Sequence, residues 1–567
     1  MKRLVALLGT GLAWLFLAAV TASGTDYSGT ARIDTLILKT AVTGNGSVVS
    51  IHTRTTILTA AGEGFGNCSA TETPYRSIRN LQVQVFDQTG KRVVNHARKD
   101  LTRFCGYGEA FTLYQDNCSY DETPTAAAYP YSVVFDCEYE LKSNFFLREI
   151  PIQRALPITY GLLVLTFPIV NPIHYKAYQF DIPAVDSSAG SVRTVTWRIS
   201  NLPAAPDIAN LPPYLRGGSR ISLYAERYSF GEVTMPSRSW KNLGLVYKQL
   251  SDSRYLTMPD TIRKPESATA AHAMADRLYT ELVKSSRYVS VNIGMSGWQP
   301  EFAAKTQTCG YGDCKGLTTL LVSRLRQSGI ESYPCLVRTS DGGAPDTAFV
   351  NDDFNHVITM AVTGADTLWY DPTSQVSPAG LIPYQDQNTD VLVITDTGGV
   401  LVHTPSSTAD ISCWRRSCDI SVDSTGMITA HVTSMVTGLC AATTRWGLYG
   451  ETNDDRKRYV ERIFQPSGGK YTVDSISYQN LDSTSLPLIV KARLRSERPM
   501  DRIGGVTYLL PFFIARRILG EGQNWATRTC PIFTGYPVTV IDSVTVHAPI
   551  TSQCDSLRFP AGDSLKF

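Results

Sequence analysis

The sequence predicts a multidomain protein: an N-terminal β-sandwich, a central α+β core and a C-terminal β-rich domain. Three observations carry this expectation. With 567 residues the chain is too long for one hydrophobic core, which stops growing near ~250–300 residues. Apolar residues recur at every second position toward both ends, and at every third or fourth position mainly in the middle. The composition, 43% hydrophobic and 18% charged, holds enough apolar surface to offset ordering entropy, which excludes a disordered or collagen-like chain.

Taken in order, residues 1–22 have the form of a secretory signal peptide. Lys2 and Arg3 precede an apolar stretch from Leu4 to Val20, and Val20-Thr21-Ala22 offers small residues for cleavage. A single membrane anchor is the alternative. No later run reaches ~18–20 apolar residues, so no membrane span is expected after signal removal. The expected location is exported, periplasmic or extracellular. Twelve cysteines, at positions 68, 105, 118, 137, 309, 314, 335, 413, 418, 440, 530 and 554, suit an oxidising compartment without fixing their connectivity. The 53 basic and 51 acidic residues fall to 51 against 51 once Lys2 and Arg3 are removed. A balanced surface has no field to gather nucleic acid, and no such partner is expected.

Residues 23–235 are assigned to the sandwich. Tyr131, Val133, Phe135, Cys137, Tyr139 and Leu141 alternate with polar neighbours, so Cys137 is a candidate buried free thiol. Leu81 to Phe86 and Val93-Val94 flank Asp87-Gln88-Thr89-Gly90, a hairpin signal. A loop rich in proline and glycine follows from Leu202 to Gly218. Residues 236–385 form the core. Leu243, Val246, Tyr247 and Leu250, then Ala271, Met274, Leu278 and Leu282, have helical spacing. Residues 386–567 return to strand patterns such as Met427 to Val432, with one helix near Asp454 to Phe464.

The core also carries the candidate chemistry. In Tyr311-Gly312-Asp313-Cys314-Lys315-Gly316, Asp313 is a good N-cap, which puts Cys314 in the first turn of a helix that ends at Gly329. A thiol there faces unpaired N–H groups, which favour thiolate; the Asp313 carboxylate opposes this, so an imidazolium partner is needed. His356 lies in the stretch Phe354 to Val362, and the return strand runs from Thr367 to Thr373 with Asp371 inside it. A turn centred on Thr363-Gly364 would set His356 and Asp371 opposite each other, and a shift of two would leave them diagonal on one face. A thiol, an imidazole and an orienting carboxylate form the logic of acyl transfer.

These residues resemble the transglutaminase-like (papain-like thiol) superfamily. Tyr311 to Gly316, Asn355-His356-Val357 and Tyr370-Asp371-Pro372-Thr373 are similar to its bacterial branch, in which a DUF3857 domain precedes the core and a DUF3858-type domain follows it. The resemblance implies a catalytic triad of Cys314, His356 and Asp371, with Gln299 of Trp298-Gln299-Pro300 as an oxyanion candidate and Gln307 behind it. It implies no cofactor, and no EF-hand-like loop suggests a metal. Blander readings stand beside it. Cys314 may be read as half of a disulfide with Cys309 or Cys335, or with both and His356 as a zinc site of unfamiliar spacing. Gln299 may line the cleft wall, Lys315 a solvated helix face, and Asp352 and Asp353 a loop surface or a specificity element. The loop from Thr339 to Asn351 borders a cleft or is a plain connection.

The expected function is an exported cysteine-dependent acyl-transfer enzyme acting on amide or peptide bonds through a thioester, with hydrolysis favoured over crosslinking. Its expected substrates are proteins, peptides or cell-wall stem peptides. The alternative is a non-catalytic cell-envelope module that binds protein or glycan and keeps a vestigial triad.

Overall fold

The computed structural model describes residues 27, 29–106, 112–205, 208, 210–216, 218–292, 295, 297–343, 345–464, 471–499, 502–503, 506–507 and 530–547. The stretch 1–22, expected as a signal peptide, and Cys554 lie outside them. The chain divides into two compact units. One runs to Gln375 and adds Ala379–Ser406 and Gly522–Gly535; the other takes Val376–Pro378, Ser407–Glu521 and the residues from Tyr536. The regions expected as sandwich and core thus share a single unit. None of the described helices is long and apolar enough to cross a membrane.

The first unit is built on an eight-stranded sheet. Its strand order is Val185–Ala189, Val192–Leu202, Ile158–Pro168, Ala31–Thr43, Gly46–Ile57, Tyr131–Leu141, Arg76–Phe86 and Arg92–Ala97. All neighbours are antiparallel except Ala31–Thr43 beside Ile158–Pro168. The alternation read in Tyr131–Leu141 is realised only in part: Tyr131 to Phe135 are buried on both faces, Cys137 is buried between half-buried acids, Leu141 is buried, and Tyr139 is half-buried. The hairpin at Asp87 also forms, because its carboxylate accepts from the backbone N–H of Thr89 and Lys91 at 2.9 and 3.0 Å. One face of this sheet is covered by the short sheet Ile150–Pro151, Arg220–Ala225, Ile173–Tyr178 and by a cluster in which Phe145 and Phe230 stack at 4.5 Å. The cover is therefore smaller than the second sheet of a sandwich. One disulfide, Cys105–Cys118, joins two directly paired strands.

Within the same unit, α1 (Trp240–Ser251), α2 (Ala268–Ser285), α3 (Ala303–Cys309) and α4 (Cys314–Gln327) accompany a five-stranded antiparallel sheet. Its order is Asp366–Tyr370, His356–Thr363, Glu331–Val337, Asp390–Thr395 and Gly398–His403. The sheet corrects the boundary expected at residue 385: two further strands belong to the core, and α1 closes on them where Gly244 meets Gly399. A Cβ on Gly244 would lie 2.0 Å from the Gly399 nitrogen, so only glycine allows this approach. On α1 the expected stripe is buried. On α2 the buried residues are Ala275, Tyr279, Leu282 and Val283, so the stripe is rotated from the one expected and Ala271, Met274 and Leu278 only flank the core.

The second unit has a five-stranded sheet in the order Tyr471–Gln479, Leu488–Ser496, Ile428–Val436, Cys413–Val422 and Thr539–His547. Two helices, α5 (Gly438–Trp446) and α6 (Asn453–Phe464), pack on it. The α5 helix was not expected. Its buried Arg445 donates to the carbonyls of Asn480, Ser483 and Leu486 at 3.2, 2.6 and 2.6 Å.

Candidate active site

The site begins at the N-terminus of α4. The Asp313 carboxylate accepts from the Gly316 backbone N–H at 2.8 Å, the N-cap geometry expected. The other end also follows expectation: Gly329 has φ +74°, and the N–H groups of Gly329 and Ile330 bond the carbonyls of Arg326 and Leu325 at 3.0 Å. The motif glycines make room: a Cβ on Gly312 would meet the Thr306 methyl at 3.0 Å, and one on Gly316 the Thr306 hydroxyl at 3.1 Å. Lys315 corrects the expectation of a solvated residue. It is buried and ion-paired with Asp313, and the pair removes the net negative charge that Asp313 would place beside Cys314. Burial would lower the Lys315 pKa, but Asp313 holds it above the ordinary value.

Cys314 is 6% exposed, and Cys309, Cys314 and Cys335 are all free thiols. The base strand is tied to the nucleophile helix directly. Thr318, one turn beyond Cys314, donates its hydroxyl to the Val357 carbonyl at 3.1 Å. On the other side Asn355 accepts from the Thr339 N–H and donates to the Thr339 hydroxyl, both at 2.9 Å, while His356 pairs with Val337 in the sheet. The backbone around His356 is therefore held on two sides.

The hairpin register differs from the expected one. Thr363 pairs with Asp366, so the turn is Gly364-Ala365 with Gly364 at φ +71°. His356 and Asp371 are consequently offset by two positions, and Asp371 lies just past the last paired residue, Tyr370. They still meet: His356 Nε2 is 3.2 Å from Asp371 Oδ2. Asp371 Oδ1 accepts from the Thr373 N–H and hydroxyl at 2.9 and 2.7 Å, which fixes the carboxylate. Cys314 acts on the same imidazole and raises its pKa, so the three residues form one chain of interactions. Burial pulls the imidazole pKa down, but Asp371, Asp386 and Cys314 outweigh it and leave it well above the ordinary value. Burial would likewise raise Asp371, yet the His356 charge and the Thr373 bonds hold it below the usual carboxylate range.

Asp386, in the turn Tyr384–Asp386, is a member that the sequence reading missed. Donor atoms of His356, Asp371 and Asp386 all lie within 4.8 Å of one another. Burial pushes Asp386 up to about 8, with the His356 charge opposing and Asp371 adding to the rise. Burial thus favours the protonated form of Asp386, while its neighbour Asp371 is held ionised. One imidazole and two carboxylates at this spacing are also a donor set for a divalent cation. Only the spatial neighbourhood marks Asp386, since Tyr-Gln-Asp-Gln-Asn has no catalytic pattern.

Other candidates lie differently. Gln299 donates its side-chain amide to the Leu250 carbonyl at 3.3 Å. Gln307 is exposed on α3. Asp352 and Asp353 correct the loop-surface reading: Asp352 is buried and ion-paired with Arg148 at 2.5 Å, and half-buried Asp353 pairs with Arg338 at 3.0 Å. Only one Asp352 oxygen is served; Oδ2 is buried without a partner, and burial pushes this group up to about 7 against the pull of Arg148. Burial, with Glu149 adding, pushes Asp353 up to about 6. Glu149 in turn is bound by Arg220 at 2.9 Å and Arg338 at 3.3 Å. The loop from Thr339 is no plain connection: Arg216 bonds Asp341 at 2.9 Å, and Tyr178 donates to Asp346 at 2.6 Å.

No family model matches the sequence, and no curated protein matches it. Among solved structures, one described as a "putative protease" from Parabacteroides distasonis ATCC 8503 aligns over 83% of this chain and 94% of its own, with 14% identity and a TM-score of 0.53. A "putative cysteine protease" from Cytophaga hutchinsonii aligns over 64% of this chain and 89% of its own at 12% identity. An M1 zinc metallopeptidase from Deinococcus radiodurans covers 46% of this chain and 55% of its own at 8% identity. Their TM-scores of 0.15 and 0.19 carry no argument. The first likeness shows a shared fold across most of the chain, and the chemistry rests on the side chains described above.

Proposed function

We propose that the protein is an exported cysteine-dependent acyl-transfer enzyme of transglutaminase-like type that hydrolyses amide or peptide bonds. The observation that carries this reading is the chain of interactions from Cys314 to His356 to Asp371, with His356 Nε2 3.2 Å from the carboxylate. With Nε2 engaged, Nδ1 is the nitrogen left for the thiol. His356 takes the Cys314 proton, and the thiolate attacks the amide carbonyl. The imidazolium gives that proton to the leaving amine as the C–N bond breaks, which leaves a thioester. Water then attacks the thioester, loses its proton to His356, and releases the acid with the thiol re-formed. Backbone N–H groups at the start of α4 are the donors at hand for the oxyanion. Gln299 already gives one amide N–H to the Leu250 carbonyl and has one more to offer.

Exported address points to proteins, peptides or cell-wall stem peptides as substrates. One observation favours the second reading, a non-catalytic envelope-binding module with a vestigial triad: Cys314 is only 6% exposed, so a substrate must displace cover to reach it. The pH dependence of iodoacetamide labelling at Cys314 separates the two. Rapid labelling well below pH ~8, slowed strongly by His356→Ala, is expected of the enzyme. Slow labelling that ignores His356 would leave only the binding module.

A further inference from the structure

Asp313, Asp352 and Asp371 are buried in the first unit, and each has a cation beside it: Lys315, Arg148 and His356. Asp386 is different. It is 1% exposed and pairs with no lysine or arginine among the described residues. Its backbone is fully used, for the N–H bonds the Pro383 carbonyl at 3.0 Å and the C=O accepts from the Thr404 hydroxyl at 2.7 Å. Its carboxylate is not: Oδ1 is buried with no hydrogen-bond partner. A buried oxygen left without a donor is costly, so a fold that fixes the backbone and strands the carboxylate leaves a cation position open.

The geometry around it fits a metal. Donor atoms of His356, Asp371 and Asp386 lie within 4.8 Å of one another. Ligands held about 2.0–2.2 Å from a tetrahedral zinc ion stand about 3.3–3.6 Å apart. His356 Nε2 and Asp371 Oδ2, at 3.2 Å, are already near that spacing, and Asp386 has to close by about 1.5 Å or less. Thr373 holds the other Asp371 oxygen at 2.9 and 2.7 Å, which leaves Oδ2 turned to the imidazole. The His356 side chain is 15% exposed, so an ion has an approach past the ring.

We propose that His356, Asp371 and Asp386 bind a zinc ion through Nε2 and one oxygen of each carboxylate, with water in the fourth position. Two carboxylates and a neutral imidazole balance the dication, and one nitrogen with two oxygens is a set that zinc accepts. Cys314 is not part of this group. A neutral imidazole has one basic lone pair. Zinc takes it at Nε2, so Nδ1 keeps its proton and cannot receive that of Cys314. Bound zinc therefore switches the base off. This consequence rests on the proposed function; the site itself does not. A proton shared by the two carboxyls is the competing way to balance the cluster.

The test uses the full-length protein, stripped of metal by a chelator, with zinc or cadmium ions alone as probes. Calorimetry is expected to show a site that saturates at micromolar zinc and is weakened at least tenfold in Asp386→Asn. Free cysteines also bind these ions, so ¹¹³Cd NMR of the natural protein identifies the ligands; a resonance in the oxygen–nitrogen range is expected. In ¹⁵N-histidine-labelled protein, zinc should shift Nε2 of His356 and leave its Nδ1 protonated. Should Asp386→Asn fail to fold, the two spectra of the natural protein decide. Unchanged zinc affinity in folded Asp386→Asn, cadmium resonances in the sulfur range only, or His356 nitrogens that zinc does not move would each overturn the proposal and leave the shared proton as the occupant. Labelling of Cys314 in the stripped protein that ignores His356 would remove the catalytic reading, while the expected spectra would still establish the site.

Discussion

Two clusters of buried acids lie in the first unit, and they meet their cations in different ways. Asp371 and Asp386 share one imidazole, His356. Asp352, Asp353 and Glu149 share guanidinium groups from Arg148, Arg338 and Arg220. Both clusters contain carboxyls raised by burial, so a perturbed titration does not by itself mark chemistry. The cation decides. A guanidinium keeps its proton at any pH the fold survives, whereas an imidazolium can pass one on. On the proposed reading the first cluster moves a proton, whereas the second holds a loop.

The comparison breaks most visibly at the nucleophile and its base. His356→Ala is expected to slow iodoacetamide labelling of Cys314 at pH 6–7 by about 10²–10⁴-fold, followed by mass spectrometry of the labelled peptide. Asp371→Asn keeps the shape but loses the charge that holds the imidazolium; a fall of about 10²–10³-fold in the same rate is expected, with an unchanged circular dichroism spectrum. The second cluster should respond in stability instead. Arg148→Met strands the Asp352 carboxylate, and urea unfolding should show a loss of about 3–5 kcal/mol.

Asp352→Asn sharpens the contrast through pH. The folded carboxyl is raised from 3.8 to about 7, so the folded state binds the proton more tightly than the unfolded chain. Its contribution to stability is full below the unfolded value and is lost as pH rises toward 7. Unfolding midpoints at pH 4.5 and 7.5 should therefore show Asp352→Asn gaining on the natural protein as pH rises, by about 1–2 kcal/mol. A constant difference would place the proton elsewhere. The smallest effect is expected from Asp386→Asn. This group ionises near pH 8, and its new charge strengthens the hold on the imidazolium. The variant should lack an inflection near that pH in the labelling profile, with rates changed about two- to fivefold.

Legibility in the sequence followed the range of the interactions. The strand Tyr131–Leu141 and both ends of α4 rest on local alternation and local caps, and they could be read directly. The hairpin after His356 was misplaced by one residue. A two-residue turn with positive φ only at its first residue suits Gly364, at +71°, where β-branched Thr363 would resist it, so the turn falls on Gly364-Ala365. Lys315 looked solvated because helical spacing says nothing of a partner two residues back that is itself buried. Asp386 had no local sign, since its meaning comes from a sheet that returns it to His356. The strands Asp390–Thr395 and Gly398–His403 were assigned to the wrong region because a strand pattern does not name its sheet.

The ion pairs across the loop from Thr339 to Asn355 bear on how the protein can be divided. Arg148, Glu149, Tyr178 and Arg216 all precede residue 236, while their partners Asp352, Arg338, Asp346 and Asp341 lie just upstream of His356. A chain started at residue 236 would keep all three triad members and lose the counter-charges that seat the approach to His356. The N-terminal strands are thus an inseparable part of the scaffold that holds His356. A cut beyond Ser406 would not isolate the first unit either, because Gly522–Gly535 return to it.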